Sequence, residues 1–391
     1  MPRKSNTRAA SGAGTIRQRP DGRWEARVTV GINPGTGKAI RRSIYGDTQA
    51  AVRKKMTVIL REIDRGTYLT PQKITVGQWL DEWLNTYAVT KVKPLTYQSY
   101  AAVIKNHLKP AFGAVSLQSL RVSHVQKLYN EMLAKGRSAK TVINVSAVLR
   151  KSLDVAMKQG LITSNPCDAA ELPKAMRKEI KPLTDAEIPL FLGQIEKHEF
   201  RNAYALCLFA GLREGECLGL SWSQVDFEKG RITVSQQLQK TKSGHVEYYI
   251  ADTTKSGKPR TIEPPAICFD YLRDEKRRQA QNKLKAGERW NNEWNLVFAN
   301  EVGRYIEIET FYRKFKKVVA AIGRPDARVH DLRHTAATVA IASGADIKSV
   351  QSLLGHATAA FTLDVYAHTS EAMMKDTAAR MQSYYDNLKK A

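Results

Sequence analysis

Five short motifs in the C-terminal half carry arginine, lysine, histidine and tyrosine side chains, a set that could act together on a phosphodiester. No single motif is diagnostic, because a chain with 62 Lys and Arg has many solvated basic side chains. In chain order the motifs are Ala210-Gly211-Leu212-Arg213-Glu214-Gly215-Glu216, Thr254-Lys255-Ser256-Gly257-Lys258-Pro259-Arg260, His330-Asp331-Leu332-Arg333-His334-Thr335, Leu354-Gly355-His356 and Tyr366. Their order and spacing are therefore the informative feature.

Arginine, histidine and tyrosine suit the attack of a side-chain oxygen on phosphorus. Negative charge builds on the non-bridging oxygens, and a rigid guanidinium fork binds them better than an ammonium, so Arg213 and Arg333 are the candidates. Tyr366 must lose its proton as it attacks, since a tyrosine pKa of about 10 makes it a poor nucleophile at neutral pH, and a histidine can accept that proton. Such a transesterification keeps the bond energy in the phosphotyrosine, so we expect no nucleotide, metal or other cofactor.

The order of these motifs resembles the Arg, Lys, His-x-x-Arg, His, Tyr signature of the tyrosine recombinases, the phage integrase family. His356 and Tyr366 are ten residues apart, as is common in that family. The layout is most similar to integrases of Gram-positive conjugative transposons. The resemblance implies a site-specific recombinase, the integrase or transposase of a mobile element, which cleaves DNA through a 3′-phosphotyrosine and then exchanges strands.

The resemblance also implies a role for each side chain of the set. His330 would accept the tyrosine proton, Lys255 would protonate the leaving 5′ oxygen, and His356 would donate a hydrogen bond to the phosphate. Glu216 follows Arg213 by three residues on the same helix face, where it could orient His330 or Arg213. The predicted catalytic residues are Arg213, Lys255, His330, Arg333, His356 and Tyr366.

Two alternative interpretations involve residues of these motifs. Lys258 remains an alternative to Lys255 as the general acid. The string from His330 to His334 imitates the HExxH zinc site of metalloproteases, but Asp replaces its Glu, Arg333 shares the helix face, and no third ligand motif follows. We therefore expect no metal site.

Residues 35–38 imitate part of a phosphate-binding loop, the nucleotide-binding motif. The flanking residues do not fit that pattern, so a hairpin turn is favoured.

The composition predicts a polyanionic partner. The 391 residues include 62 Lys and Arg against 38 Asp and Glu, a formal charge of +24, which favours nucleic acid over a membrane surface. Apolar stretches such as 203–212 are too short to span a bilayer, and residues 1–10 lack the apolar run of a signal peptide. We therefore expect a cytoplasmic protein with no membrane partner, and the resemblance implies a bacterial host and association with its nucleoid. Its four cysteines have no ligand spacing, so we expect reduced, mostly buried thiols.

Residues 1–66 predict a basic domain built from a three-stranded antiparallel sheet and one helix. The strands are expected at 14–19, 24–30 and 39–45, and the helix from 47 or 48 to 65. In the second strand Trp24, Ala26 and Val28 alternate with Glu25 and Arg27, so one face is polar and free for a partner. The resemblance makes this an arm-type DNA-binding domain whose polar face would enter the major groove. The predicted DNA-binding residues are Arg23, Arg27, Arg41 and Arg42.

Two further domains are predicted downstream. Residues 75–173 are helical throughout, with a capped amphipathic helix from 138 to 159, and resemble the all-α, SAM-like core-binding domain of the family. Residues 180–391 predict a mixed α/β, mostly α, catalytic domain. It ends in a helix at about 370–389 whose apolar stripe includes Met373, Met374, Met381 and Tyr385. The fold class is thus a multi-domain chain of sheet, helical and catalytic domains.

The expected partners follow from the resemblance. They are double-stranded DNA at core and arm sites, three further copies of the chain in a tetramer that exchanges C-terminal helices, and an excision or bending factor. Packing of the C-terminal helix within its own domain remains an alternative. The competing functions are a type IB topoisomerase, a chromosome-dimer resolvase of the same family, and a non-catalytic DNA-binding regulator.

Overall fold

The structure, a computed structural model, describes residues 14–32, 35–66, 68–71, 73–176, 181–241, 247–252 and 259–355, together with 378, 381–382 and 385–386. The chain divides into two compact units, 1–176 and 177–391. The first unit contains two separate hydrophobic clusters, one within 16–68 and one within 74–170. The predicted linker around residues 171–184 contains the division between the units, while the separation of 1–66 from 75–173 stays a prediction.

The first unit begins with the predicted sheet and helix. Strands β1 (Thr15–Gln18), β2 (Trp24–Ile32) and β3 (Ala39–Gly46) form an antiparallel sheet in that order, and α1 spans Gln49–Asp64. Thr48 caps α1 by accepting a hydrogen bond from the backbone N–H of Ala51 at 3.2 Å. Ala26 and Val28 of β2 pack with Val52 of α1, so the helix covers the apolar face of the sheet. The predicted fold of this segment is confirmed.

A helical segment follows in the same unit. Its α-helices are α2 (Val76–Glu82), α3 (Pro94–Val103), α4 (Lys109–Phe112), α5 (Val122–Ala134) and α6 (Ala139–Lys158). Ser138 caps α6 by accepting from the backbone N–H of Thr141. Trp79 is fully buried, and its indole N–H donates to the Ser152 carbonyl oxygen at 3.1 Å. Its role is therefore in the helical core, as its spacing predicted.

The second unit is mostly helical, with a small amount of sheet. Its helices are α7 (Glu187–Ile195), α8 (Arg201–Phe209), α9 (Glu214–Leu218), α10 (Ile267–Ala286), α11 (Ile308–Ala321), α12 (Val329–Ala342) and α13 (Ile347–Leu354). Strands β4 (Val225–Asp226), β5 (Arg231–Val234) and β8 (Arg260–Ile262) form one antiparallel sheet, and β6 (Gln237–Lys240) pairs with β7 (Tyr248–Ala251). This mixed, mostly helical architecture matches the prediction for the C-terminal domain.

Helix α12, which carries Arg333, packs against α8 and α13, and α8 also contacts α9, which begins directly after Arg213. Tyr204 and Phe311, whose ring centroids are 4.6 Å apart, lie in the main hydrophobic cluster of the second unit. All four cysteines are buried free thiols, as expected. Among the described residues, no helix has the length and apolar character needed to cross a membrane.

Candidate active site

Arg213 and Glu216 lie at the start of α9 and are joined by reciprocal contacts. The Glu216 carboxylate accepts from the Arg213 backbone N–H at 3.1 Å and from Arg213 Nη1 at 2.6 Å. Glu216 is buried, whereas the Arg213 side chain stays partly exposed. The buried carboxylate thus orients a guanidinium that is still accessible to a ligand.

Arg260, at the start of β8, supplies the remaining hydrogen bonds of Glu216. Its Nη1 donates to Oε1 at 3.0 Å and its Nη2 donates to Oε2 at 2.6 Å, a bidentate pair. The Arg260 Nε donates to the carbonyl oxygen of Leu353 at 3.2 Å. The sequence analysis did not select Arg260, although it ends the second motif. Its carboxylate partner is 44 positions away, so no local pattern connects the two.

Arg333, on α12, is the most deeply buried member of the group, with none of its side chain exposed. Its Nη1 donates to the Gly211 carbonyl oxygen at 2.7 Å, and its Nη2 donates to the Leu354 carbonyl oxygen. The Arg333 Nη1 also lies 3.9 Å from Glu216 Oε2. Three guanidinium groups therefore surround one carboxylate.

The C-terminal end of α13 provides acceptors for all three arginines. Three successive backbone carbonyls are involved, and each accepts from a different guanidinium. They are Leu353 from Arg260, Leu354 from Arg333, and Gly355 from Arg213 Nη2 at 3.4 Å. Helix C-termini carry a partial negative charge, which favours this arrangement. Gly355 ends α13 with a φ of +61°, a left-handed conformation that suits glycine.

The electrostatics of the cluster leave a net positive charge. Burial opposes ionisation of Glu216, but the hydrogen bonds and charge of Arg260 and the charge of Arg213 outweigh it and lower the Glu216 pKa to about 2. Burial, together with the like charge of Arg213, lowers the pKa of Arg333 to about 9, against the attraction of Glu216. Arg333 therefore keeps its charge at neutral pH, and three guanidinium groups surround one carboxylate. The surplus suits an anionic ligand such as a phosphate.

His330 begins the same helix turn as Arg333 and is partly open to solvent. Desolvation by the surrounding protein, followed by the charges of His334, Arg333 and Arg213, lowers the pKa of His330 to about 4. The ring of His330 contacts that of His334 edge-on, with centroids 4.8 Å apart. His334 itself is buried. His330 is therefore neutral at physiological pH and can accept a proton.

The other predicted catalytic residues, Lys255, His356 and Tyr366, lie outside the described residues, as does Lys258. Lys240, another lysine of this stretch, pairs with Glu309. The predicted contact of Glu216 with Arg213 is present in the structure. The hydrogen bonds described for Glu216 go to Arg213 and Arg260, and none of those described goes to His330.

The predicted DNA-binding arginines of the N-terminal sheet do not share one face. Arg27 pairs in register with Ser43, and Arg41 pairs with Thr29, which places both on the face away from α1. Arg42 pairs with Val28 on the opposite face, where its Nη1 donates to the Tyr68 hydroxyl at 3.2 Å. Arg23 lies in the turn before β2 and pairs with Asp21. Of the four, Arg27 and Arg41 are thus the two on the polar face.

Glu25 lies in the middle of that polar face yet is only 1% exposed. It accepts from Arg17 Nε at 2.8 Å, Arg27 Nε at 3.0 Å and the Ser43 hydroxyl at 2.9 Å. The hydrogen bonds from Arg17 and Ser43 are the main causes that lower the Glu25 pKa to about 2. Glu25 therefore orients two arginines on this surface. The sequence analysis identified neither Arg17 nor the burial of Glu25.

Sequence comparisons assign both units to one family. A profile described as "Phage integrase family" matches residues 181–373, and a profile described as "Phage integrase, N-terminal SAM-like domain" matches residues 75–133. Together these ranges cover more than half of the chain. The chain belongs to the phage integrase family of tyrosine recombinases. It is therefore an enzyme that cleaves and rejoins DNA in site-specific recombination.

Curated relatives of this recombinase match it along almost their whole length. A "Tyrosine recombinase XerC-like" protein of Caldanaerobacter subterraneus is 28% identical over 364 residues, which cover 89% of this chain and 93% of that protein. The "ICEBs1 integrase" of Bacillus subtilis is 24% identical over 385 residues, which cover 94% of this chain and 99% of that protein. The similarity thus includes the N-terminal segment as well as the catalytic unit.

Solved structures show the same fold. An integrase of the transposon Tn1549 in complex with transposon right end DNA superposes with a TM-score of 0.68 at 23% identity, over 79% of this chain and 100% of that one. A lambda integrase tetramer bound to a Holliday junction superposes with a TM-score of 0.58 at 19% identity, over 92% and 96% of the two chains. The expected multi-domain integrase fold is therefore confirmed.

Proposed function

We propose that this recombinase is the integrase of a mobile element and that Tyr366 is its nucleophile. The observation that carries the proposal is the group of Arg213, Arg260 and Arg333 around Glu216, beside a neutral His330. A site with surplus guanidinium charge and a proton acceptor suits attack on a phosphodiester. The motif order that links these residues to Tyr366 supports the same reading.

In the proposed cleavage step, the Tyr366 oxygen attacks the scissile phosphorus and forms a 3′-phosphotyrosine bond. His330 accepts the phenolic proton, since its lowered pKa keeps the ring neutral. The bond from phosphorus to the 5′ oxygen breaks, and Lys255 donates a proton to that oxygen. Lys258 is the alternative donor. In the reverse step, the 5′ hydroxyl of another strand attacks the phosphotyrosine and restores Tyr366.

Arg213 and Arg333 would stabilise the charge on the non-bridging oxygens, and His356 would add a hydrogen bond to the phosphate. Arg213 suits direct contact, because its guanidinium is partly exposed. Arg333 is buried and shares its donors with the Gly211 and Leu354 carbonyls. DNA binding would therefore bring the phosphate to a charge arrangement that already exists in the free protein.

The N-terminal sheet would contact arm sites of the DNA, and residues 75–173 would contact the core site together with the catalytic domain. Arg27 and Arg41 support the first assignment, because both lie on the face that α1 leaves uncovered. Arg17 extends this basic surface through its ion pair with Glu25. With DNA as its partner, the enzyme would act in the bacterial cytoplasm, at the nucleoid.

We further propose that four copies assemble on DNA by exchanging their C-terminal helices. The catalytic unit has an apolar groove between α8 and α12, lined by Leu208, Phe209, Pro265, Val339 and Ala340. In the C-terminal segment, Met381 is 70% exposed and Tyr385 is 51% exposed. We propose that the apolar residues of the C-terminal segment of a second copy bind in this groove. An excision or bending factor would act on this assembly.

The central test uses a nicked duplex that carries the end of the mobile element and traps the covalent intermediate. The wild-type protein should form an adduct resistant to SDS, Tyr366→Phe should form none, and Tyr312→Phe, a change at a half-exposed tyrosine of α11, should behave as wild type. An adduct from Tyr366→Phe, or none from the wild type, would contradict the proposal. Site-independent relaxation of supercoiled DNA would favour a topoisomerase, and binding without an adduct would favour a regulator.

A further inference from the structure

We propose that Arg260 is a positioning residue for DNA cleavage, one that holds the proposed active site together without contacting the DNA itself. The inference rests on the proposed function, because it assumes that the site around Arg213 binds the scissile phosphate. It concerns a residue outside the predicted catalytic set.

The hydrogen bonds of Arg260 indicate that its guanidinium binds other parts of the protein and not the DNA. Each of its three guanidinium nitrogens donates to a protein acceptor, two to Glu216 and one to the Leu353 carbonyl oxygen. Its side chain is 11% exposed, half the exposed fraction of Arg213. An arginine whose fork is filled by a buried carboxylate is oriented toward the protein. Arg213, by contrast, retains exposed surface for a ligand.

The position of Arg260 joins three segments of the catalytic unit. Its backbone lies in β8, directly after the segment that contains Lys255. Its fork binds Glu216, which in turn fixes Arg213 at the start of α9. Its Nε binds the last turn of α13, which leads to His356. One side chain therefore sets the spacing between elements that carry, or immediately adjoin, the proposed catalytic residues.

The packing around Arg260 leaves little room for adjustment. A Cβ atom added at Gly355 would lie 2.8 Å from Arg260 Cδ, closer than any ordinary contact. Glu216 Oε1 is shared between Arg213 Nη1 and Arg260 Nη1, so loss of one partner changes the position of the other. A displacement of about 1 Å in such a site can cost about 100-fold in rate. Lysine at position 260 keeps the charge but cannot reproduce the bidentate fork.

The test compares Arg260→Lys with Arg231→Lys, a matched change on the neighbouring strand β5, where Arg231 forms an exposed pair with Glu263. Cleavage is measured as the rate of adduct formation at saturating DNA, and binding is measured separately on Tyr366→Phe backgrounds. We expect Arg260→Lys to cleave about 10- to 100-fold more slowly, with DNA affinity within about twofold of wild type. Arg231→Lys should match wild type in both.

A double-mutant cycle with Glu216→Gln separates positioning from direct contact with DNA. If Arg260 acts through Glu216, the double variant should cleave no more slowly than the slower single variant. Losses that multiply would assign Arg260 an independent contact with the phosphate and overturn the proposal. Glu216→Asp replaces Glu216→Gln in the cycle if the latter does not fold.

Two further outcomes would also overturn the proposal that Arg260 is a positioning residue. One is cleavage by Arg260→Lys at the wild-type rate. The other is a loss of DNA affinity in Arg260→Lys by the same factor as its loss of rate, together with a lower thermal stability. Failure of the proposed function has a different signature. In that case Arg213→Ala, measured in parallel, would form the adduct at the wild-type rate.

Discussion

Arg333 donates a hydrogen bond from Nη1 to the carbonyl oxygen of Gly211 at 2.7 Å. Gly211 lies two residues before Arg213, in the turn that connects α8 with α9. The contact therefore ties α12, which carries Arg333 and His330, to the turn that positions Arg213. The two arginines proposed to bind the phosphate are fixed relative to one another by a backbone acceptor.

Arg333→Lys should lower both stability and cleavage. The substitution removes the fork that reaches the Gly211 and Leu354 carbonyls, and buried hydrogen bonds from a charged group contribute about 1.5–3 kcal/mol each. We expect a free energy of unfolding lower by about 3 kcal/mol in urea titrations and a loss of adduct of at least about 100-fold. Arg328→Lys is the control, since Arg328 forms a more exposed pair at the start of the same helix. Equal stability in the two variants would contradict the contact.

Gly211→Ala should be much more harmful than Gly230→Ala, although both glycines have a φ of +62°. The unfavourable left-handed conformation alone costs about 1–2 kcal/mol for alanine. At Gly211 the added Cβ would also lie 2.6 Å from Leu354 Cδ2, whereas at Gly230 the nearest atom is 4.0 Å away. We expect total losses of about 2–5 and about 1–2 kcal/mol in thermal unfolding. Similar losses would show that the close packing of the turn against α13 is wrong.

Local sequence patterns predicted the elements well. The sequence predicts helices that begin at Asp47 or Thr48 and at Ser138, and the Thr48 and Ser138 side chains each accept a backbone hydrogen bond in the first turn. The alternation in β2 predicted the apolar face, on which Ala26 and Val28 are fully buried. These features depend on residues a few positions apart, so a single sequence contains the necessary information.

Contacts between distant segments could not be predicted in the same way. Arg260 of β8 and Glu216 of α9 are 44 positions apart and meet only in the tertiary fold, and the carbonyl acceptors at the end of α13 have no side-chain signature. Glu25 was correctly placed on the polar face, but its burial depends on Arg17 and Ser43 of neighbouring strands. The separation of Arg42 from Arg41, in contrast, follows from strand alternation and could have been recognised.

The pH profile of the cleavage rate should show no midpoint near pH 6.5 that is due to His330. Because its pKa is lowered to about 4, the ring stays the neutral proton acceptor down to about pH 5, and the rate should fall below that. His330→Gln should cleave more slowly across the whole range. Single-turnover adduct formation between pH 4.5 and 8 measures this, and a midpoint near 6.5 that disappears in His330→Gln would contradict the lowered pKa.

The same shift predicts the pH dependence of stability. Between pH 4 and 6.5 the unfolded chain binds more protons at this position than the folded chain, so the free energy of unfolding falls as pH falls through that window. The lowered pKa of His334 acts in the same direction. Urea titrations at several pH values give the free energy of unfolding at each pH. Between pH 4 and 6.5 this free energy should change less steeply with pH in His330→Gln than in wild type, and an equal pH dependence in the two proteins would contradict the lowered pKa of His330.

Met381→Glu should impair assembly while sparing cleavage at a single site. A charge on an apolar residue of the C-terminal segment would be unfavourable in the groove of a second copy. Sedimentation of the protein with DNA should show loss of the tetramer, and trapping on one nicked site should remain near wild type. Gln382→Glu is the control, because it adds the same charge at a neighbouring exposed polar residue. A tetramer unaffected by Met381→Glu would favour packing of this segment within its own domain.

Arg27→Ala and Arg41→Ala should each reduce the salt dependence of binding to DNA that carries the arm sites, whereas Arg42→Ala should not. Each lost phosphate contact lowers the slope of log K against log salt by about 0.9. Arg27 and Arg41 lie on the open face of the sheet, and Arg42 contacts Tyr68 on the other. Full-length variants with Tyr366→Phe allow binding to be measured without cleavage. A slope reduced by Arg42→Ala but not by Arg27→Ala would assign DNA contact to the opposite side of the sheet.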